Sequence, residues 1–314
     1  MTALARGNRS RYDAVDGLLL LNKPPGMTSN RALQTVRRLL NARKAGHTGS
    51  LDPSATGMLP LCFGEATKVC AFLLDADKTY RVTAKLGTAT DTGDADGSET
   101  IATAAVPDLS FEEWNDILQG FLGESMQVPP MYSALKKDGK RLYELARQGE
   151  IVEREPRKIR IDEIRLLEAA GSRLVFRVTC SKGTYVRTLV EDVAKKAGTV
   201  AHTARLHRES VGDFRAEDMI DLAAVEAGVD DDREGFRDSL LGPDVALMGF
   251  PAIELEVSEG ERFSGGQAVQ VVADGMTGLA RVYDAGGRFL GVGEFSGNGW
   301  LAPRRVFLTQ EKSP

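Results

Sequence analysis

Residues 46–64 read GHTGSLDPSATGMLPLCFG. Glycines at 46, 49, 57 and 64, small hydroxyl residues and Pro53 surround one carboxylate, Asp52. Glycine permits positive φ and close approach of a second backbone or a ligand, while proline fixes the chain just after Asp52. The residues leave two readings open. Asp52 opens a tight turn, as Asp-Pro pairs commonly do, or the glycine-lined loop presents its carboxylate for chemistry.

On the N-terminal side, GLLLLN at 17–22 is a short apolar run closed by Lys23-Pro24-Pro25-Gly26, which predicts a buried strand and a turn. Thr28 or Ser29 then caps a helix to about Leu40, with Leu33, Val36, Leu39 and Leu40 on one face. Arg37, Arg38, Arg43 and Lys44 gather at its end, where they either contact phosphate or complement the helix dipole. On the C-terminal side a helix is predicted over 65–74. KTYRVTAKL at 78–86 then alternates as a strand, with Tyr80, Val82 and Ala84 on one side. TATDTGDADGS at 88–98 is a polar, glycine-rich loop whose aspartates lack the spacing of a calcium loop, so no metal is expected.

Ser110 and Glu113 form a capping box ahead of an amphipathic helix over 111–121. In QVPPMYSALKKDGKRLYEL at 127–145, Lys136, Lys137, Lys140 and Arg141 lie between aromatics, a mixture suited to phosphate pairing and base stacking on a mobile arm. Paired strands are predicted over 157–167 and 173–180, a helix to about Lys196, a strand and turn over 200–214, and a helix over 217–227. The stretch 228–238 reads as an acidic linker. From 250, short segments separated by Gly-rich turns predict a small β-barrel.

The chain of 314 residues, 42% hydrophobic and 27% charged, fits one large and one small domain. No apolar run is long enough to span a membrane, and the N-terminus lacks the apolar segment of a signal peptide. Three cysteines without CxxC spacing argue against a disulfide framework or a zinc site and favour a reducing cytoplasm. The net charge of −5 is unevenly spread. Residues 1–70 carry +6 and 130–210 carry +7, against −8 over 71–129 and −10 over 211–314. Such a division suits a basic face on an acidic protein, and phosphate contacts need only local positive potential.

The stretch GHTGSLDPSATGMLPL resembles the active-site motif of the TruB-type tRNA pseudouridine synthases. GLLLLNKPPGMTSN at 17–30, KTYRVTAKLGTATDTGDADG at 78–97, QVPPMYSALKKDGKRLYELAR at 127–147, CSKGTYVRTLVEDVAKKAG at 180–198 and LHRESVGDF at 206–214 resemble further family segments in family order. The resemblance implies an α+β fold: a mixed, mainly antiparallel sheet flanked by helices, followed by a small β-barrel PUA-like domain. Residues 1–16 read as a flexible tail, and the resemblance sets a catalytic domain at 17–249 with an RNA-contacting insertion at about 88–150, and the PUA-like domain at 250–314.

By the same resemblance the reaction is isomerisation of uridine 55 in the tRNA T-loop to pseudouridine, without cofactor. Asp52 is the nucleophile, Arg187 the cation that holds it charged, and Tyr80 packs on the uracil and takes part in proton transfer. Tyr185 and Leu206 line the base pocket, and His47 enters the T-loop where bases have flipped out. Lys23 is structural or phosphate-directed, and Lys136 and Lys137 contact RNA. The expected partner is tRNA, bound by a cytoplasmic monomer that needs no guide RNA, protein partner or membrane. The competing expectations are a guide-RNA-dependent synthase and a tRNA-folding chaperone whose catalysis is secondary.

Overall fold

A computed structural model describes residues 12–307 except 102, 138, 273, 274 and 297. The nine-stranded main sheet contains β1 (Gly17–Lys23), β2 (Ala45–His47), β3 (Thr56–Phe63), β4 (Lys78–Leu86), β5 (Gly123–Gln127), β6 (Arg157–Ala170), β7 (Arg173–Cys180), β8 (Ala201–Val211) and β9 (Ile220–Asp221). Its order is β9-β1-β3-β8-β4-β7-β6-β5, with β2 paired to β3. Neighbours are antiparallel except at two places, β1 with β9 and β3 with β8. The β3–β8 junction is the seam of the sheet. Its strands meet only at His207 opposite Thr56 and Arg208 opposite Gly57.

Gly57 explains why the seam can close. It has φ +100°, and a Cβ there would lie 2.3 Å from the Arg208 carbonyl oxygen and 2.7 Å from its nitrogen. Only a residue without a side chain fits that approach. The Asp52 loop therefore emerges at the seam, between the two halves of the sheet.

The four leucines of β1 are buried on both faces, as an uninterrupted apolar strand requires. Each contributes roughly 2 kcal/mol by leaving water. Leu19 and Leu21, with Leu59, Leu61 and Phe63 of β3, pack under helices α1 (Ser29–Leu39) and α6 (Leu222–Asp231). On the opposite face Leu18 and Cys62 join Leu247, Phe289, Val292 and Phe307, which belong to or flank the small domain. A third core sets α3 (Phe111–Gln119) and α5 (Val186–Lys196) against β4, β6 and β7, and the short helices α2 (Cys70–Asp75) and α4 (Leu142–Arg147) lie outside it. The Ser110–Glu113 capping box is present, and Thr28 accepts from Arg31 N to cap α1.

Arg37 donates to the carbonyls of Ala42 and Arg43, so it closes the end of α1. The expected tail lies outside the described residues up to position 11. Asp13 is then bonded to Asn41 and Val15 is buried.

The acidic stretch 228–238 is helical rather than a linker. α6 runs to Asp231, Asp232 caps α7 (Arg233–Asp238), and Arg237 binds Asp13 and the Leu40 carbonyl that ends α1. A helix cap and a half-buried arginine give this charged segment internal partners, which its composition conceals. The predicted helix at 217–227 begins later, after a short 3-10 turn at Ala216–Asp218 and strand β9.

The C-terminal sheet contains β10 (Ala252–Leu255), β11 (Val269–Gln270), β12 (Gly278–Asp284), β13 (Phe289–Phe295) and β14 (Trp300–Val306), in the order β10-β12-β13-β14-β11. Phe263 of an additional helix (Val257–Ser264) fills its core beside Leu255, Val282 and Leu301.

Candidate active site

The Asp52 loop is pinned at four points. Thr48 N bonds the Pro60 carbonyl, and Ser29 Oγ both accepts from Leu51 N (2.8 Å) and donates to the Leu51 carbonyl (3.1 Å). Gly26 N bonds the Pro53 carbonyl, and Arg208 Nη2 donates to the Gly49 carbonyl at 3.0 Å. Ala55 N bonds the Asp52 carbonyl. The main chain of Asp52 opens the turn, and its carboxylate takes no part in that bond.

That carboxylate meets Arg187 in a two-point pair, Nε–Oδ2 at 3.0 Å and Nη2–Oδ1 at 3.4 Å. The Arg187 side chain is 6% exposed and that of Asp52 37%, so the cation is the buried member. Arg187 comes from the first turn of α5, and the rest of its fork is occupied. It donates to the carbonyls of Thr92 and Tyr132 and pairs with Asp94 at 3.3 Å. Burial raises the Asp52 pKa and Arg187 lowers it, with Asp94 and Asp96 adding to the rise. The net shift is upward. The expected pairing is present, yet a shared arginine offsets only part of the desolvation cost.

Asp94 was not singled out by the sequence. Its loop folds so that Thr92 Oγ1 donates to Asp94 Oδ1 at 2.6 Å, while Gly93 and Ala95 bond the backbone of Thr203 on β8. The glycine-rich TDTGDADG run was the available signal, but its target lies on a distant helix. Among the described residues no group of three His, Cys, Asp or Glu side chains is placed to hold a metal ion.

Asp52, Asp94, Arg187 and Leu206 line one recess with Ser54, Ala55 and residues 203–205. Tyr80 of β4 is half-buried against the main core, and its pKa is raised by burial, with Arg208 opposing and Asp52 adding to the rise. Tyr185 stands at the N-cap of α5. Gln127 holds its backbone on both sides, accepting from Tyr185 N at 2.8 Å and donating to its carbonyl at 3.1 Å. Burial raises the Tyr185 pKa, and both Arg187 and Asp52 act on it electrostatically. The two phenols, on different elements, thus both feel the Asp52 carboxylate, Tyr80 together with Arg208 and Tyr185 together with Arg187.

His47 ends β2 beside this loop. Burial and the charge of Arg208 lower its pKa, which keeps the imidazole neutral near pH 7. Its Nδ1 is buried and has no hydrogen-bond partner among the described residues.

Of the two roles left open for Lys23, structural or phosphate-directed, its surroundings fit the structural one. It is fully buried, and its ammonium donates to the carbonyls of Pro24 (2.9 Å), Met27 (2.8 Å) and Pro53 (3.1 Å). All three donors are used, so Lys23 is a clasp between the Lys-Pro-Pro-Gly turn and the Asp52 loop. Burial brings its pKa down to about 8.

Lys136 and Lys137 lie apart from the recess, exposed on a two-stranded hairpin with Lys140 and Arg141. Tyr132, at the base of that arm, supplies one of the carbonyls that hold Arg187. Arg208 was also missed. It is 1% exposed, and as one of two arginines on its strand it gives no sign of burial in the sequence.

Fold and site together define an α+β domain whose recess holds an arginine-paired carboxylate, joined to a small β domain. Residues 37–186 match the TruB family pseudouridylate synthase (N terminal domain), and residues 251–307 match the pseudouridine synthase II TruB, C-terminal. A tRNA pseudouridine synthase B of Dechloromonas aromatica (strain RCB) is 52% identical over 94% of this chain and 96% of its own length. That of Stutzerimonas stutzeri (strain A1501) is 47% identical over 98% of this chain and 100% of its own. Among solved structures, a chain of a Cbf5-Nop10-Gar1 complex superposes with TM-score 0.73 at 26% identity, covering 94% of this chain and 86% of that one. The chain belongs to the TruB family of pseudouridine synthases.

Proposed function

We propose that this protein isomerises uridine 55 in the T-loop of tRNA to pseudouridine, with Asp52 as nucleophile on a flipped-out uridine. The observation that carries the proposal is the Asp52 carboxylate, held two-point by a buried Arg187 at a recess lined by Leu206. The relatives named tRNA pseudouridine synthase B, matched over nearly their whole length, support tRNA as the substrate.

In the reaction the C1′–N1 bond breaks, the uracil rotates, and a C1′–C5 bond forms. The C5 proton leaves and N1 gains one, so atoms and electrons balance without redox chemistry or a cofactor. A carboxylate adduct, at C1′ or at C6 of the base, holds the parts together while the bond is remade. Tyr80 supplies a ring for the freed base, a stacking contact of about 1–3 kcal/mol. It also takes part in the proton transfer at C5. Tyr185 and Leu206 complete the pocket. A base in a folded loop is hidden, so extraction is part of the catalytic task. His47, neutral and beside the loop, fills the space the base leaves. Lys136 and Lys137 contact the phosphates of the T-arm from the hairpin.

The enzyme acts as a cytoplasmic monomer without guide RNA or protein partner. Identity near 50% with relatives named tRNA pseudouridine synthase B, against 26% with a chain of the Cbf5-Nop10-Gar1 complex, supports this reading. The test is tritium release from unmodified tRNA transcript labelled at uracil C5, with purified protein alone. Release at the T-loop position is expected. Absence of release until a guide RNA is added would refute it.

A further inference from the structure

Arg208 has no carboxylate within ion-pair distance among the described residues, although it is almost wholly buried. A buried cation of this kind is costly unless its hydrogen bonds are well placed. Its surroundings show what it joins. On β8 it lies directly opposite Gly57 of β3 on one side and Tyr80 of β4 on the other. Residues opposite one another in an antiparallel pair project on the same face, so Arg208 and Tyr80 are side by side. The guanidinium turns from there toward the loop, where Nε donates to the Met58 carbonyl at 2.6 Å and Nη2 to the Gly49 carbonyl at 3.0 Å. Gly49 stands three residues before Asp52 with φ +77°, and a Cβ there would come within 3.5 Å of Arg208 Nη1.

Resting on the assignment of Asp52 and Tyr80 above, we propose that Arg208 is a positioning residue for the reaction: one buried guanidinium ties the loop that carries Asp52 to the strand that carries Tyr80, and sets its charge beside the phenol. The nucleophile and the aromatic platform come from opposite halves of the sheet, which touch at only two residue pairs. Arg208 occupies one of those pairs and bridges the halves with its side chain. A displacement of about 1 Å between reacting groups costs on the order of a hundredfold in rate.

The test compares Arg208→Gln, Arg208→Lys and Tyr80→Phe, singly and as the Arg208→Lys/Tyr80→Phe double variant. Asp52→Asn is assayed alongside. Single-turnover tritium release and tRNA affinity are measured separately, and folding is followed by thermal melting. Arg208→Gln is expected to lose about a hundredfold in rate with tRNA affinity within about threefold of wild type. Arg208→Lys, which keeps the charge, is expected to recover at least about tenfold of that loss. Its effect should shrink when Tyr80 is already phenylalanine.

A rate within about threefold of wild type in Arg208→Gln, a loss matched by equal loss of affinity, or a lysine variant no better than glutamine would overturn the assignment. If Arg208→Gln does not fold, the lysine–phenylalanine cycle decides, and additive effects overturn it. Normal release by Asp52→Asn would instead overturn the underlying reading, so the two failures are distinguishable.

Discussion

Replacing Gly57 with alanine tests whether the seam positions the site. At φ +100° a side chain imposes backbone strain of about 1–2 kcal/mol. The new Cβ would also fall 2.3 Å from the Arg208 carbonyl oxygen and 2.9 Å from its carbonyl carbon. Those are backbone atoms, so relief requires the two strands to part, an overpacking cost of about 1–3 kcal/mol. The total, about 3 kcal/mol, should lower the melting temperature by roughly 5–10 °C. Parting the strands also moves Arg208 away from the loop it holds, so single-turnover tritium release should fall on the order of a hundredfold. Gly183→Ala is the control. Its φ is +81° but nothing lies within 4 Å of a Cβ there, so it should show about 1 kcal/mol of strain and little change in rate. A Gly57→Ala protein that melts and reacts like Gly183→Ala would refute the reasoning.

Three further outcomes follow from the geometry. Lys136→Ala with Lys137→Ala removes two exposed cations from the hairpin and should reduce the slope of log affinity against log salt by about 1.5; an unchanged slope excludes the hairpin from phosphate contact. Lys23 has a native pKa of about 8 against an ordinary value of 10.5, so the unfolded chain binds the extra proton between those values and stability rises with pH across that window. Relative to Lys23→Met, wild type should gain about 2 kcal/mol in urea unfolding between pH 7.5 and pH 10, and a pH-independent difference would contradict the burial of a charged ammonium. Gln127→Ala should release the Tyr185 backbone and lower the reaction rate with little change in melting temperature, whereas a purely structural bond would lower both together.

Local order was legible where the governing forces are local. The strand over 78–86 was readable from alternation, and the capping box of Ser110 and Glu113 from its spacing. The apolar run before Lys23 announced a strand buried on both faces. The resemblance placed Asp52 and Arg187, and the structure brings them within 3.0 Å across 135 residues of sequence.

What escaped depends on partners distant in the chain. Arg208 looks like one charge of an alternating strand until Gly57 and Tyr80 are seen beside it. Asp94 reads as a loop carboxylate because Arg187 lies on another element. Lys23 in its turn left a structural and a phosphate-directed role open, and only the three surrounding carbonyls show that its charge is used internally. The run of aspartates at 230–232 concealed a helix end and a helix cap, since acidic composition records charge and not hydrogen-bond partners.

In the proposed reaction Asp52 is the nucleophile and not merely the opener of its turn. Its carbonyl accepts the turn bond from Ala55 while its carboxylate faces Arg187, so Asp52→Asn leaves the turn intact and removes only the charge. Single-turnover tritium release from tRNA by that variant, measured beside its tRNA affinity, is the direct test. Release should fall below detection with affinity within about threefold of wild type. Release at a rate comparable to wild type would contradict the account.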